Sequence, residues 1–179
     1  MEGTLKGRRI VLCSGGMGKV NAAHAATILV IHYSPSAILL FGIGGAYPSS
    51  GANVGDVVIA NEEIAGDEGV MTNDGFKDTR CIGIPLVKTA SETIYNSYPA
   101  TKELLDLAVR TLTGTGEGNR LQVGPFVTLS TCTGTTGRAR ELEERYHGIC
   151  ENMEGAAVAQ IAMLHGIPWL EVRGISNIV

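Results

Sequence analysis

The sequence lacks an excess of positive charge: its 179 residues carry 14 lysines and arginines against 18 aspartates and glutamates, a formal charge of −4. Nucleic acid and anionic membranes both require a basic face, so neither is expected as the main partner. No C-x-x-C pair joins the four cysteines, Cys13, Cys81, Cys132 and Cys150. Single cysteines in apolar runs, such as Cys13 in IVLCS, read as buried reduced thiols, which fits the cytosol. The four histidines form no H-E-x-x-H, so no histidine-based zinc site is expected. The opening residues MEGTLKGRR have no apolar core behind their positive charges, and no run approaches the roughly 18 apolar residues of a membrane span. A cytoplasmic location is expected.

Apolar residues make up 44% of the chain and charged ones only 18%, which excludes a disordered tail. The length suits one domain. Glycine is over-represented: 24 residues, about 13%, against a usual share of about 7%. Their spacing is not collagen-like, so they mark tight turns and places where backbone approaches a bound molecule.

Residues 9–14 (RIVLCS) read as a buried strand ending in Gly15 and Gly16, and residues 20–33 as an alanine-rich helix stopped by Pro35. Residues 37–41 (AILLF) read as a second buried strand, ended by Gly42, Ile43, Gly44 and Gly45. Strand–helix–strand order with continuous apolar strands indicates a parallel sheet covered on both faces. Further strands are expected at 56–60, 122–130 and 169–175. Helices are expected at 101–112, 137–146 and 155–165, a short segment at 149–153 and a loop at 114–119. Residues 61–99 give only a weak, polar pattern. The fold class is α/β: a single domain, residues 1–179, with a central, mostly parallel mixed sheet flanked by helices. Open parallel sheets bind ligands beyond the carboxyl ends of their strands. That rule selects residues 14–19, 42–46, 130–134, 152–154 and 173–177.

Ser14-Gly15-Gly16-Met17-Gly18-Lys19 joins a strand to a helix, where backbone N–H groups can cradle an anion, although it matches neither a Walker loop nor G-x-G-x-x-G. Glu154 stands before an apolar helix. It reads either as a first-turn acid favoured by the helix dipole or as a carboxylate accepting both hydroxyls of a ribose. Residues 173–177 close a strand with a positive charge, a hydroxyl and an amide, which serve either a turn or a site.

Taken together, SGGMGKVNAA, FGIGGAY, VGD with DEGV, ENMEGAAVAQ and PWLEVRGISN resemble the nucleoside phosphorylase and nucleosidase superfamily over about residues 3–179. Within it the chain is most similar to the futalosine hydrolase family, relatives of the methylthioadenosine/S-adenosylhomocysteine nucleosidases. The resemblance implies the purine nucleoside phosphorylase-like fold and hydrolysis of an N-glycosidic bond. It implies no metal and no organic cofactor, a purine nucleoside as the small-molecule partner, and a homodimer. It makes Glu154 and Met153 the ribose-binding pair, and Ile43, Gly44 and Gly45 the loop under sugar and base. Cys132 and Thr133 would offer backbone to the purine edge. Ser176 and Asn177 would meet the purine near N7, with Arg173 in support.

Asn177 bears on the substrate. An adenine leaving group needs a proton at N7, and adenosine-cleaving members place an aspartic acid at this position. An amide is a poor acid, but its NH₂ can hydrogen-bond the O6 of a 6-oxopurine, onto which leaving-group charge delocalises. An asparagine can also pair with adenine through N6 and N7, so recognition alone leaves adenine open. The leaving-group chemistry favours hypoxanthine, the base of futalosine, in a step of menaquinone biosynthesis.

The resemblance also implies a strand and a water-activating glutamate upstream of this chain, and a loop and last helix beyond Val179. No residue before Gly15 matches that glutamate, and Glu2 has the wrong context. The chain is therefore expected to be truncated at both ends. Loss of a general base typically lowers rates 10²–10⁴-fold, so activity of the chain as written is in question. Two other readings stay open. One is a phosphorylase, for which Arg8, Arg9 and Lys19 are available cations; the other is an inactive nucleoside-binding or assembly subunit.

Overall fold

A computed structural model describes residues 1–90, 92–113 and 120–179. The loop expected over 114–119 lies outside them. Strands β1 (Glu2–Leu5) and β2 (Arg8–Val11) precede helix α1 (Lys19–Tyr33), β3 (Ile38–Ala46) and β4 (Val57–Ala65). Then come β5 (Gly69–Thr72), β6 (Gly75–Asp78), a 3₁₀ turn at Thr79–Ile82, β7 (Val87–Lys88), β8 (Thr93–Ile94) and β9 (Ser97–Pro99). The chain continues through α2 (Lys102–Leu112), β10 (Leu121–Thr128), α3 (Thr136–Tyr146), β11 (Cys150–Asn152), α4 (Gly155–Leu164) and β12 (Trp169–Ile178).

The main sheet runs β10-β11-β3-β12-β4-β9, and a further β10–β4 pairing closes five of these strands on themselves. The long registers, β3 with β12 and β4 with β10, are parallel; β11 on β3, β12 on β4 and β9 on β4 pair antiparallel over two or three residues. The sheet is thus mixed and mostly parallel, as expected. Helix α1 packs on α4 through Ala22, Ala26, Ala156 and Ala159, whose small side chains let the two axes approach closely. Ser34 ends α1 in a left-handed conformation (φ 43°) just before Pro35, which cannot continue the helix.

Several expectations need correction. Residues 9–14 do not form a buried strand of the main sheet: Arg8–Val11 pairs only with Glu2–Leu5, in a separate and largely exposed antiparallel ribbon. A short apolar run is equally compatible with either placement, and here tertiary context decides. For the same reason Cys13 is exposed; of the four free cysteines only Cys150 is buried. Glycines 42, 44 and 45 do not end the strand after AILLF but lie inside β3. The weak segment 61–99 holds the end of β4, two small hairpins and β9, with Glu62 and Glu63 inside a strand. β12 runs through to Ile178, so residues 173–177 lie on the strand itself.

Candidate active site

Around the carboxyl ends of β3 and β12 lies an open cavity of about 650 Å³. All ten residues singled out from the sequence line it: Ile43, Gly44, Gly45, Cys132, Thr133, Met153, Glu154, Arg173, Ser176 and Asn177. The glycines of β3 explain how so many side chains fit around one strand. A Cβ on Gly42 would lie 2.5 Å from Arg173 Nη1, and one on Gly44 only 2.4 Å from Cys150 Sγ. Bare backbone therefore makes room for a guanidinium and a thiol on one face. On the other face Asn177 Nδ2 stands 3.2 Å from where a Gly45 Cβ would be.

Glu154 precedes the first residue of α4, and its side chain does not cap the helix. Instead its Oε1 accepts from the Gly18 N–H at 2.8 Å and its Oε2 from Arg173 Nη2 at 3.2 Å. The anion held at the start of α1, where the Gly-rich turn was read as a cradle, is thus the protein's own Glu154. Each carboxylate oxygen retains an acceptor position for a ligand hydroxyl. Asn152 takes over the capping: its Oδ1 accepts from the N–H groups of Glu154 and Gly155 at 2.9 and 2.7 Å.

Arg173, expected to support Asn177, does something else. Its Nε donates to Glu171 Oε1 at 2.6 Å and its Nη1 to the Ile43 carbonyl at 2.9 Å, while Nη2 holds Glu154. Burial opposes its charge, but Glu171 and Glu154 outweigh burial and raise its pKa. Behind it Glu171 and Glu63 are both fully buried. A Cβ on Gly155 would lie 2.1 Å from Glu63 Oε1 and 2.2 Å from Glu171 Oε2, so only glycine permits this pair. Glu63 also accepts from Thr128 Oγ1 at 2.6 Å and Asn152 Nδ2 at 2.7 Å. Burial, and then the charge of Glu171, push Glu63 well above the usual carboxyl range. Of the two carboxyls Glu63 is therefore the one whose ionisation is resisted, and Glu171 Oε2 beside it makes no hydrogen bond.

At the base end, Asn177 Oδ1 accepts from Ser176 Oγ at 2.8 Å, which turns the amide NH₂ away from Ser176. Ser176 Oγ also lies 3.3 Å from the Gly44 carbonyl. The strap after β10 is drawn to β11: the Thr133 N–H and hydroxyl both donate to Glu151, and the sulfurs of Cys132 and Met153 lie 3.5 Å apart. Lys19 Nζ donates to Asp67 at 2.6 Å and Glu68 at 3.0 Å, and Asp67 Oδ2 accepts from the Ser130 N–H at 2.6 Å. These bonds raise the Lys19 pKa against the opposing effect of burial.

Sequence reasoning missed Glu151, Glu63, Glu171 and Thr128, and it selected Asn152 without giving it a role. For Glu171 the available signal was charge in the wrong place, since it sits inside the apolar run PWLEV; Glu63, in the polar stretch NEE, gave none. Among the described residues no cluster of three or more His, Cys, Asp or Glu side chains is arranged to hold a metal ion.

The model of the phosphorylase superfamily matches residues 1–179, and the chain belongs to that family. Among individual relatives, futalosine hydrolase of Thermus thermophilus is 32% identical over 173 residues, covering 97% of this chain and 71% of that protein. The 5′-methylthioadenosine/S-adenosylhomocysteine nucleosidase of Mycobacterium bovis is 30% identical over 186 residues, covering 99% of this chain and 72% of that one. The same fold occurs in the S. pneumoniae nucleosidase solved with a transition-state inhibitor, MT-ImmA: the TM-score is 0.79 at 25% identity, over 98% of this chain and 71% of that structure.

Proposed function

We propose that the protein is a nucleosidase that hydrolyses the N-glycosidic bond of a 6-oxopurine nucleoside, with futalosine the favoured substrate and hypoxanthine the released base. The observation that carries this reading is Glu154, fixed at both oxygens by the Gly18 N–H and Arg173 and facing the cavity with acceptor positions to spare. A ribose diol supplies two O–H donors to such a carboxylate. As the C1′–N9 bond breaks, the sugar gains positive character next to this anion, water adds at C1′, and the base leaves with a proton.

The base follows from Asn177. With its carbonyl oxygen engaged by Ser176, its NH₂ makes only a long 3.4 Å contact to the Ile178 carbonyl and is available to donate to O6. Relatives named as futalosine hydrolase and as adenosine-type nucleosidase have similar identities to this chain, so the amide supports the choice between them. Water rather than phosphate is the favoured acceptor, because Lys19 is committed to Asp67 and Glu68, while Arg8 and Arg9 lie on the exposed β1–β2 ribbon and do not line the cavity.

The test is release of free base from a hypoxanthine nucleoside by the purified protein, followed chromatographically with and without phosphate. Release without phosphate is expected; phosphate-dependent release would make it a phosphorylase, and binding without release a nucleoside-binding subunit. We propose a cytoplasmic location on the four free cysteines, which fit a reducing compartment; among the described residues no helix is long and apolar enough to cross a membrane. We further propose a homodimer, because segment 61–99 exposes Met71, Ile82 and Ile84. Sedimentation at micromolar concentration should give twice the chain mass; an active monomer would contradict it.

A further inference from the structure

The N–H groups of Glu154, Gly155 and Ala156 open helix α4, and two side chains from neighbouring strands satisfy all three. Asn152 Oδ1, at the end of β11, accepts from Glu154 and Gly155 at 2.9 and 2.7 Å. Thr128 Oγ1, at the end of β10, accepts from Ala156 at 2.8 Å. A carbonyl oxygen has two lone pairs, so Asn152 Oδ1 is full. The single Thr128 hydroxyl hydrogen therefore goes to Glu63 Oε2 at 2.6 Å rather than to Asn152 Oδ1 at 3.1 Å. Asn152 Nδ2 donates to Glu63 Oε1 at 2.7 Å. Only one orientation of this amide fits, because turning it over would set its NH₂ against two N–H donors.

Glu154 is thus held by two routes. Its N–H is tied through Asn152 to Glu63, and its carboxylate is tied through Arg173 to Glu171. Both routes end over Gly155, where a Cβ would lie 2.1 Å from Glu63 Oε1 and 2.2 Å from Glu171 Oε2. The Glu154 backbone is not yet helical (φ −128°, ψ −32°), and its side chain lines the cavity instead of capping the helix. Asn152 borders the cavity too, but it is buried and its oxygen is spent, so it acts on a ligand through Glu154. We infer that Asn152 is a positioning residue of this site: pinned by Glu63 at one end and capping α4 at the other, it fixes the backbone from which Glu154 presents its carboxylate to the ligand. The inference rests on the nucleosidase reading for the identity of the ligand, but the placement of Glu154 can be observed without turnover.

The test is Asn152→Asp, in which one carboxyl oxygen keeps the cap while the other replaces the NH₂ that faces Glu63. The titratable and charged groups around that contact are Glu63 of β4, Glu171 and Arg173 of β12, Cys150 of β11, and Glu154. Thr128 of β10 and Gly155 and Ala156 of α4 carry no charge, and burial holds the Cys150 thiol neutral. Arg173 is already shared by Glu171 and Glu154, so burial and Glu63 both resist ionisation of the new carboxyl. At pH 5 it keeps a proton and donates it to Glu63 as the amide did; by pH 8 it loses that proton and repels Glu63. Base release from a hypoxanthine nucleoside, per folded molecule, should be within about threefold of the unaltered protein at pH 5 and about tenfold or more below it at pH 8. A purely structural role would lower the folded fraction, read by circular dichroism, and leave the rate per folded molecule unchanged. Crystals of Asn152→Asp should show Glu154 bonded to Gly18 and Arg173 at pH 5 and displaced at pH 8. Asn152→Ala, lacking both cap and donor, should be displaced and slow at either pH.

A rate relative to the unaltered protein that is the same at pH 5 and pH 8 in Asn152→Asp overturns the inference. So does a Glu154 that keeps both contacts in crystals of Asn152→Ala. If one variant fails to fold, the other decides alone. An unaltered protein that releases no base refutes the nucleosidase reading, while the position of Glu154 in the variant crystals still upholds or overturns the inference.

Discussion

The two faces of β3 carry similar side chains under opposite conditions. Facing Gly42 and Gly44 is Arg173, buried and bonded to Glu171, with Glu63 fully buried behind it and bonded to Thr128 and Asn152. Facing Gly45 are Glu151 and Asn177, both lining the cavity. On the buried face, charge is tolerated only because it is balanced: burial and Glu171 resist ionisation of Glu63, Glu171 offsets Arg173, and Arg173 offsets Glu154. On the cavity face, donor and acceptor capacity is left over. The first arrangement fixes where Glu154 stands; the second is available to a ligand. Burying a charged group without its partner costs far more than an imperfect contact at an open site. Substitutions on the two faces should therefore fail differently.

The largest effect is expected from Arg173→Leu. It leaves Glu171 buried without its countercharge and releases Glu154 Oε2, so stability should fall by about 3–5 kcal/mol. Urea denaturation monitored by circular dichroism measures this, and a loss below about 1 kcal/mol would mean that the buried cluster does not depend on its cation.

Glu63→Gln should have a smaller effect that depends on pH. The carboxyl of Glu63 is raised well above its ordinary 4.5 in the folded protein, so above that value the folded state holds a proton that the unfolded state has lost. Stability from this group is fully present below pH 4.5 and declines as pH rises toward the folded pKa. The slope approaches about 1.4 kcal/mol per pH unit. Removing the titrating group should flatten stability measured between pH 5 and 8. An identical slope in Glu63→Gln would show that Glu63 does not hold the proton.

These two faces were unequally legible in the sequence. The cavity side was visible because its parts are local: GIGG after an apolar strand run, MEG before a helix, RGISN on the last strand. The buried side depends on Glu63 and Glu171, 108 positions apart in the numbering, meeting over Gly155. No local pattern announces such a meeting. The fold class followed from strand–helix–strand order, but the RIVLC run was misassigned because apolar content does not say which neighbour a strand will find. Glu151 was passed over for a similar reason: its bonds are to Thr133, across the strap.

The measurement that tests the cavity face most directly is kcat/KM for matched hypoxanthine and adenine nucleosides in the unaltered protein and in Asn177→Asp. The unaltered protein should favour hypoxanthine strongly. The aspartic acid can carry a proton to N7 and accept from the adenine amino group. It should therefore move the ratio toward adenine by about 1–3 kcal/mol, the cost of mispairing a buried hydrogen bond. An unaltered protein that already prefers adenine, or a variant that loses both activities equally, would contradict the claim that this face of β3 reads a 6-oxopurine.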